Sequence, residues 1–463
     1  MSEYLLSSNK HLTEVFLYFK KYLSKAGVDR AVFYGILARG WGICAGPITA
    51  LLIATKFTPN VQGYYYTFAN LLALQVFVEL GLGTVIVQFA SHEWSKLSLD
   101  KNGLITGDDK ALSKLISLAR VSIRWYFAGG IVLILGLGIG GTIFFSGSNV
   151  NALNINWLFP WLMLCLLTGL ILLLVPIWSL LEGCNQVNNL YAFRLWQGLC
   201  TSLSLWAAML AGAELWTVAV SSITTIICAL IFLKKRYWKF LKTLLFSIPQ
   251  RDHISWYENI LPMQWRIAVS WISGYFVFSF FTPVLFKYHG PVAAGQFGMT
   301  WSVIGVIGAL SNSWLAPRVP QFGILISQRK YKELNYLFWK ITKVVTIVGI
   351  CAGIAIWLVI YALNRLNHPL SLRLAAPLPA GLLILAQLIV TFSLPFAAYM
   401  RAHKEEPLMG LSVISGSLIG LSTFILGKYY GIKGMAIGYL TVNAIIIPLV
   451  IVTWYRCRKE WHI

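Results

Sequence analysis

Apolar residues in this chain fall in long runs separated by short polar segments, most of them basic. A bilayer core of ~30 Å requires ~20 apolar residues per spanning helix. Runs of that order lie at about 31–55, 64–90, 122–146, 157–182, 190–211, 214–233, 262–286, 291–322, 341–363, 374–400, 407–427 and 432–455. The pattern predicts an all-α polytopic membrane protein with about twelve transmembrane helices. Pro47, Pro176, Pro317, Pro320 and Pro395 fall inside these runs. Such breaks are tolerated in a membrane where neighbouring helices or water satisfy the freed backbone groups. Residues 1–30 lack a compact apolar core followed by a small-residue cleavage site. There, Leu12, Val15, Phe16 and Phe19 recur at helical spacing beside Lys20, Lys21 and Lys25, which predicts a short interfacial helix.

Composition sharpens this picture. Of 463 residues, 58% are hydrophobic and 11% charged, against ~25% charged in soluble domains. The net charge of +21 would suggest a polyanion partner in a soluble protein, but its placement excludes nucleic acid. With the N-terminus inside, 27 of the 37 Lys and Arg fall in inside segments, counting Arg124 and Lys343 at span edges. Six lie in outside loops (Lys56, Lys287, Arg365, Arg373, Lys428, Lys433) and four within spans. That asymmetry predicts cytoplasmic N- and C-termini. The domains follow: the interfacial segment 1–30, an N-lobe 31–233, a basic linker 234–261, a C-lobe 262–455 and a cytoplasmic tail 456–463. Within the linker, Trp238, Phe240, Leu241 and Leu244 make 234–251 amphipathic, as expected for a segment lying on the inner leaflet. Seven cysteines show neither paired nor metal-type spacing and read as small apolar residues.

The two halves echo each other. Pro176 and Pro395 are 219 residues apart, as are Gly212 and Gly431, while Val87-Gln88-Phe89 resembles Pro320-Gln321-Phe322 at an offset of 233. Six spans per half is an even number, so the halves enter from the same side and their symmetry is of the parallel kind. The expectation is two parallel six-helix lobes around a central cavity.

Four arginines sit within the runs: Arg39, Arg194, Arg266 and Arg318. Each costs ~3 kcal/mol at membrane depth on insertion scales. Arg39 in the first span and Arg266 in the seventh occupy equivalent helices, where they would face one another across the cavity. The alternative is snorkelling, since all four lie in the cytoplasmic half; it is the stronger reading for Arg194, a few residues into its span. Glu79, with Gln75 one turn before it, is the carboxylate nearest mid-span. Either it neutralises Arg39 or it binds a coupling proton or cation. All seven histidines fall in loops or tails. Arginine binds phosphate oxygens in a bidentate fork and keeps its charge when desolvated, so a cavity lined this way suits an anion. Trp41, Trp265, Trp301 and Trp314 are candidates for stacking on sugars.

Gly63-Tyr64-Tyr65, Glu79-Leu80-Gly81-Leu82-Gly83 and Ala316-Pro317-Arg318-Val319-Pro320 carry a family resemblance. Over nearly its whole length the chain resembles the Wzx-type O-antigen flippases, the polysaccharide transporters of the multidrug/oligosaccharidyl-lipid/polysaccharide superfamily. The resemblance implies transfer of undecaprenyl-diphosphate-linked oligosaccharide between leaflets, with Arg39 and Arg266 as the fitting cationic positions. It implies membrane lipids and the lipid-linked glycan as partners, a polysaccharide polymerase downstream, and a chain that works as a monomer. No cofactor, metal or catalytic residue is expected, and the coupling ion stays open between Na+ and H+. The first span lacks the acidic residue that related multidrug exporters often use, which weakens but does not remove a cation-coupled drug or metabolite exporter. The segment after the second span lacks the Gly-Asp-Arg-Gly-Arg pattern of the major facilitators. A membrane polymerase or ligase is the remaining alternative, disfavoured by short outside loops.

Overall fold

A computed structural model describes residues 30–100, 103–147, 155–247, 255–403 and 405–462. Apart from Arg30, the interfacial helix expected over residues 1–30 lies outside them. Helix α1 runs from Arg30 to Lys56. Thr58 caps α2 (Pro59–Leu72) by accepting from the Val61 amide, with Pro59 in the first turn where its missing N–H costs nothing. A 3-10 turn, Ala73–Gln75, leads to α3 (Val76–Glu79) and then α4 (Leu82–Trp94). Between these last two, Leu80 (φ 46°) and Gly81 (φ 69°) are left-handed. A right-handed helix cannot continue through such residues, and the span bends by 46°.

The N-lobe continues with α5 (Asp109–Ser146), α6 (Leu158–Leu172), α7 (Val175–Gly183), α8 (Val187–Leu210) and α9 (Trp216–Arg236). The short α10 (Trp238–Phe246) forms the linker. Its apolar face is covered by protein: Phe240, Leu241 and Leu244 are buried, and Phe240 meets the Trp94 ring. The C-lobe holds α11 (Leu261–Phe278), α12 (Phe281–Leu315), α13 (Val319–Ser327), α14 (Tyr331–Arg365), α15 (Pro377–Ala402) and α16 (Met409–Trp461). A two-stranded antiparallel hairpin, β1 (Leu97–Leu99) and β2 (Ile105–Gly107), projects between α4 and α5.

Two of the long C-lobe helices are hairpins. In α12 the chain reverses at Gly290 (φ 83°), and the Phe281 and Phe297 rings lie 5.2 Å apart. Sixteen residues of straight helix would separate them by ~24 Å. In α16 the reversal is at Gly431 (φ 58°), which brings Gly438 against Ser422. Gly212, the repeat equivalent of Gly431, is also left-handed (φ 76°) at the turn from α8 to α9. Eight helices among the described residues are long and apolar enough to cross a membrane, or nine if the bent pair Pro59–Trp94 is one span. Helix or a hairpin arm occupies each of the twelve apolar runs. One face of α5 exposes Val132, Leu135, Ile139 and Ile143 while Leu133, Leu137 and Phe145 are buried. Exposed apolar side chains in that density require lipid as the solvent.

The end of α16 is tied to the C-lobe by aromatic stacking. His403 stacks on Trp461 at 4.2 Å, His462 on Tyr331 at 4.0 Å, and the Tyr399 hydroxyl shares a 2.9 Å hydrogen bond with His462 Nε2. Burial holds His403 below the ordinary imidazole value of 6.5, against the opposing pull of Glu405. Burial first, then the charges of His403 and Arg458, do the same to His462. A base whose folded pKa is depressed favours the folded contact above its unfolded pKa and loses that contribution as pH falls through the folded value. The α16 end should therefore stay docked at pH 7.5 and loosen below pH ~6. Hydrogen exchange at residues 455–462 checks this; equal protection at pH 7.5 and 5.5 would contradict it.

Candidate functional site

The most extensive helix contact in the molecule joins the lobes, α2 against the second arm of α12. It is a glycine seam. A Cβ on Gly63 would fall on the Pro291 carbonyl, one on Gly295 on the Gly63 backbone, and one on Gly298 on the Tyr66 ring. Gln62 is 1% exposed, and its amide donates to the Gly295 carbonyl at 2.9 Å and the Arg373 carbonyl at 3.0 Å. Gln62 and Gly295 are 233 residues apart, one of the two offsets at which the halves of the sequence echo each other.

A polar clasp surrounds it. The Arg373 guanidinium donates to the Phe57 carbonyl and to Gln62 Oε1, Gln296 donates to the Leu372 carbonyl at 3.0 Å, and the Ala375 amide donates to Thr300 Oγ1 at 2.8 Å. Burial lowers the Arg373 pKa, yet a guanidinium stays charged. Hydrogen bonds to charged groups contribute ~1.5–3 kcal/mol each, so this end of the molecule is firmly closed. The halves also touch where Ile267 of α11 meets Gly81 at the α3–α4 bend and Tyr275 packs on Phe77.

Below the clasp the lobes part into a cleft of about 480 Å³ between α1 and α12. Arg39, Gly42, Gly46 and Pro47 line one wall; Ser302, Gly305, Ala309, Asn312 and Ser313 line the other. The Tyr66 hydroxyl, one turn along α2 from Gln62, reaches Ser302 Oγ at 3.5 Å and so links the cleft wall to the clasp. Glycine and alanine leave its walls open: a Cβ on Gly42, Gly46 or Gly305 would meet nothing within 4 Å. Arg39 is the charged lining residue, and no carboxylate is among the described residues that line the cleft.

The other sequence candidates are distributed differently. Arg266 is exposed, its guanidinium 5.7 Å from the Trp265 ring centroid, and is not among the cleft-lining residues. Arg318, exposed in the 3-10 turn Ala316–Arg318, donates to Gln321 Oε1 at 3.4 Å. Arg194 is paired with Glu182 at 3.2 Å and lies over Tyr191. Glu79 is half-buried at the α3 bend and makes no ion pair with Arg39 among the described residues; Gln75 ends the preceding 3-10 turn. Trp41 donates to Ser202 and packs on Trp206, and Trp301 packs among Phe281, Phe297 and Tyr439, so both serve the lobes' interiors. Trp265 and Trp314 are exposed.

No family model and no curated protein sequence matches this chain. Solved structures do. An inward-facing multidrug resistance MATE family transporter of the MOP superfamily aligns with a TM-score of 0.64 at 11% identity, over 90% of this chain and 96% of the other. The lipid II flippase MurJ, in an inward closed conformation, aligns with a TM-score of 0.64 at 13% identity, over 91% and 87%. The chain shares its fold with these two proteins. The MATE multidrug transporter DinF-BH aligns with a TM-score of 0.60 at 12% identity, over 94% and 96%. At such identities the shared property is the fold; the cargo is read from the cleft's own side chains.

Proposed function

We propose that this protein is a flippase for anionic, lipid-linked oligosaccharide. It moves undecaprenyl-diphosphate-linked units across the bacterial cytoplasmic membrane by alternating access, for surface polysaccharide synthesis. The observation that carries this reading is a cleft between two lobes whose charged lining residue is Arg39, with no carboxylate to neutralise it among the described lining residues. A guanidinium held there favours a phosphorylated head group over a cationic drug. The small residues of both walls leave room for sugars, and the MurJ fold is one on which a lipid-linked cargo is moved. Twelve crossings with the basic segments inside would put the clasp at the outer face, so that cargo loads from the cytoplasm. Arg266 and Arg318, exposed and without carboxylate partners among the described residues, are retained as further cargo contacts, and Arg194 as an anchor held by Glu182. Glu79, at the bend, is proposed to take the coupling H+ or Na+.

Reconstitution tests the cargo. Vesicles containing the protein should expose lumenal undecaprenyl-diphosphate-linked glycan to an external glycosidase at least tenfold faster than empty vesicles. Equal rates would overturn the reading. A second reading, export of organic cations, is favoured by the MATE likeness alone. Cation efflux from the same vesicles, indifferent to Arg39→Glu, would support it.

A further inference from the structure

A second hollow, of about 390 Å³, lies beside the cleft between α12–α13 and α15. Asn312 lines both volumes, which are therefore neighbours. The second is walled by Ala316, Gly323, Ala397 and Ala398, and its charged lining residue is Arg401. Side by side, the two hollows make a trough lined by one guanidinium from each half of the chain and by the exposed carboxamide that they share. Arg401 stands in the last turn of α15, where its charge also suits the helix C-terminus. Its Nε donates to Glu406 Oε1 at 3.1 Å, and its two terminal amino groups have no partner among the described residues. The two side chains are 62% and 63% exposed. An ion pair that exposed contributes little to stability and is readily exchanged.

We infer that Arg401 is a second anion-binding residue of the trough, taking a diphosphate jointly with Arg39, and that Glu406 is its exchangeable counterion. This deepens the flippase reading and rests on it. The chemistry follows from charge. A diphosphate carries more negative charge than one guanidinium neutralises, and each arginine fork takes two oxygens. Glu406 presents the same acceptor geometry as a phosphate with less charge, so a diphosphate competes for Arg401 while hydrated sugar hydroxyls do not. Asn312, shared by the two hollows, is placed to donate to the bridging or sugar oxygens. The C-lobe cation that sequence symmetry assigns to Arg266 is supplied, along this trough, by Arg401 instead.

Binding of two probes to the full chain in nanodiscs tests the assignment: inorganic pyrophosphate and a short polyprenyl diphosphate. Arg401→Ala should weaken both about tenfold, Arg401→Lys should restore part, and Glu406→Gln should tighten both about threefold. Tightening cannot come from a damaged fold, and both side chains are exposed, so melting temperatures should stay at the parent value. Affinities of Arg401→Ala and Glu406→Gln within twofold of the parent, for both probes, would overturn the inference. If Arg39→Ala still weakened binding in that case, the flippase reading would survive the loss of Arg401. If Arg401 and Glu406 responded while Arg39→Ala did not, joint binding would be overturned: Arg401 would hold the anion alone, and the role given to Arg39 would fall. Tighter binding of the polyprenyl probe than of pyrophosphate would identify the lipid head group as the source; equal binding would identify the free anion.

Discussion

Arg39→Ala should abolish surface polysaccharide and leave lipid-linked intermediates to accumulate, while Arg39→Lys restores part of both. The argument is local. Arg39 is the charged group in a cleft whose other lining residues are small, apolar or hydroxyl-bearing, apart from Asn312. A bidentate contact to phosphate comprises two charge-assisted hydrogen bonds of ~1.5–3 kcal/mol each. Losing both costs roughly two to four powers of ten in affinity at 1.4 kcal/mol per tenfold. Lysine keeps the charge but not the fork, so it should recover only part of that. Arg194→Ala is the contrasting control. Its guanidinium already faces Glu182 in a half-exposed pair, and polysaccharide should remain near the parent level. Immunoblotting of surface polysaccharide, with thin-layer analysis of lipid extracts, reads out both variants. Parent-level polysaccharide in Arg39→Ala would remove the guanidinium from the mechanism.

Membrane residence and helix placement were legible because the bilayer imposes a one-dimensional code: long apolar runs, with breaks at Gly and Pro. Glu79-Leu80-Gly81-Leu82-Gly83 is an example, and its two left-handed residues are where the second span bends. Arg39 was legible for the opposite reason, since a charge inside an apolar run has few explanations. The short hairpin of β1 and β2 has a local signal, Asn102-Gly103 between short apolar stretches, far weaker than that of a spanning run. What the sequence hid is the clasp. Gln62 and Arg373 are 311 residues apart, and each alone reads as an ordinary polar residue at a span edge. In sequence Arg373 is one more outside cation, yet its guanidinium donates to the Phe57 carbonyl. Arg401 was hidden in the same way, as a loop charge, because only the packing of α15 against α12 and α13 turns its neighbourhood into a wall of the trough. Arg266 shows the converse: repeat logic equated it with Arg39, but rotation about the helix axis decides which side of α11 a residue occupies, and an offset with loop insertions does not fix that rotation.

The glycine seam should prove the most sensitive backbone position in the protein. Gly63→Ala would drive a methyl group into the Pro291 carbonyl, and Gly295→Ala would drive one into the Gly63 backbone. Backbone has no rotamer to yield, so α2 and α12 must separate. Overpacking of this kind costs ~1–3 kcal/mol per site, and the separation would also lengthen the bonds from Gln62 to Gly295 and Arg373. The expected result is a folded protein with its clasp loosened: melting lowered by several degrees, flipping reduced more than tenfold, and the cleft reachable from the outer side. Ser302→Cys, introduced where the cleft meets the clasp in a chain without its seven native cysteines, reports this through a membrane-impermeant thiol reagent. Labelling from outside should be slow in the parent and fast with Gly63→Ala. Gly136→Ala, whose new methyl meets nothing within 4 Å, should change neither labelling nor transport and gain ~1 kcal/mol of helix propensity. If Gly63→Ala labelled and transported like the parent, the seam would be simple packing, and the gate would have to lie elsewhere between the lobes.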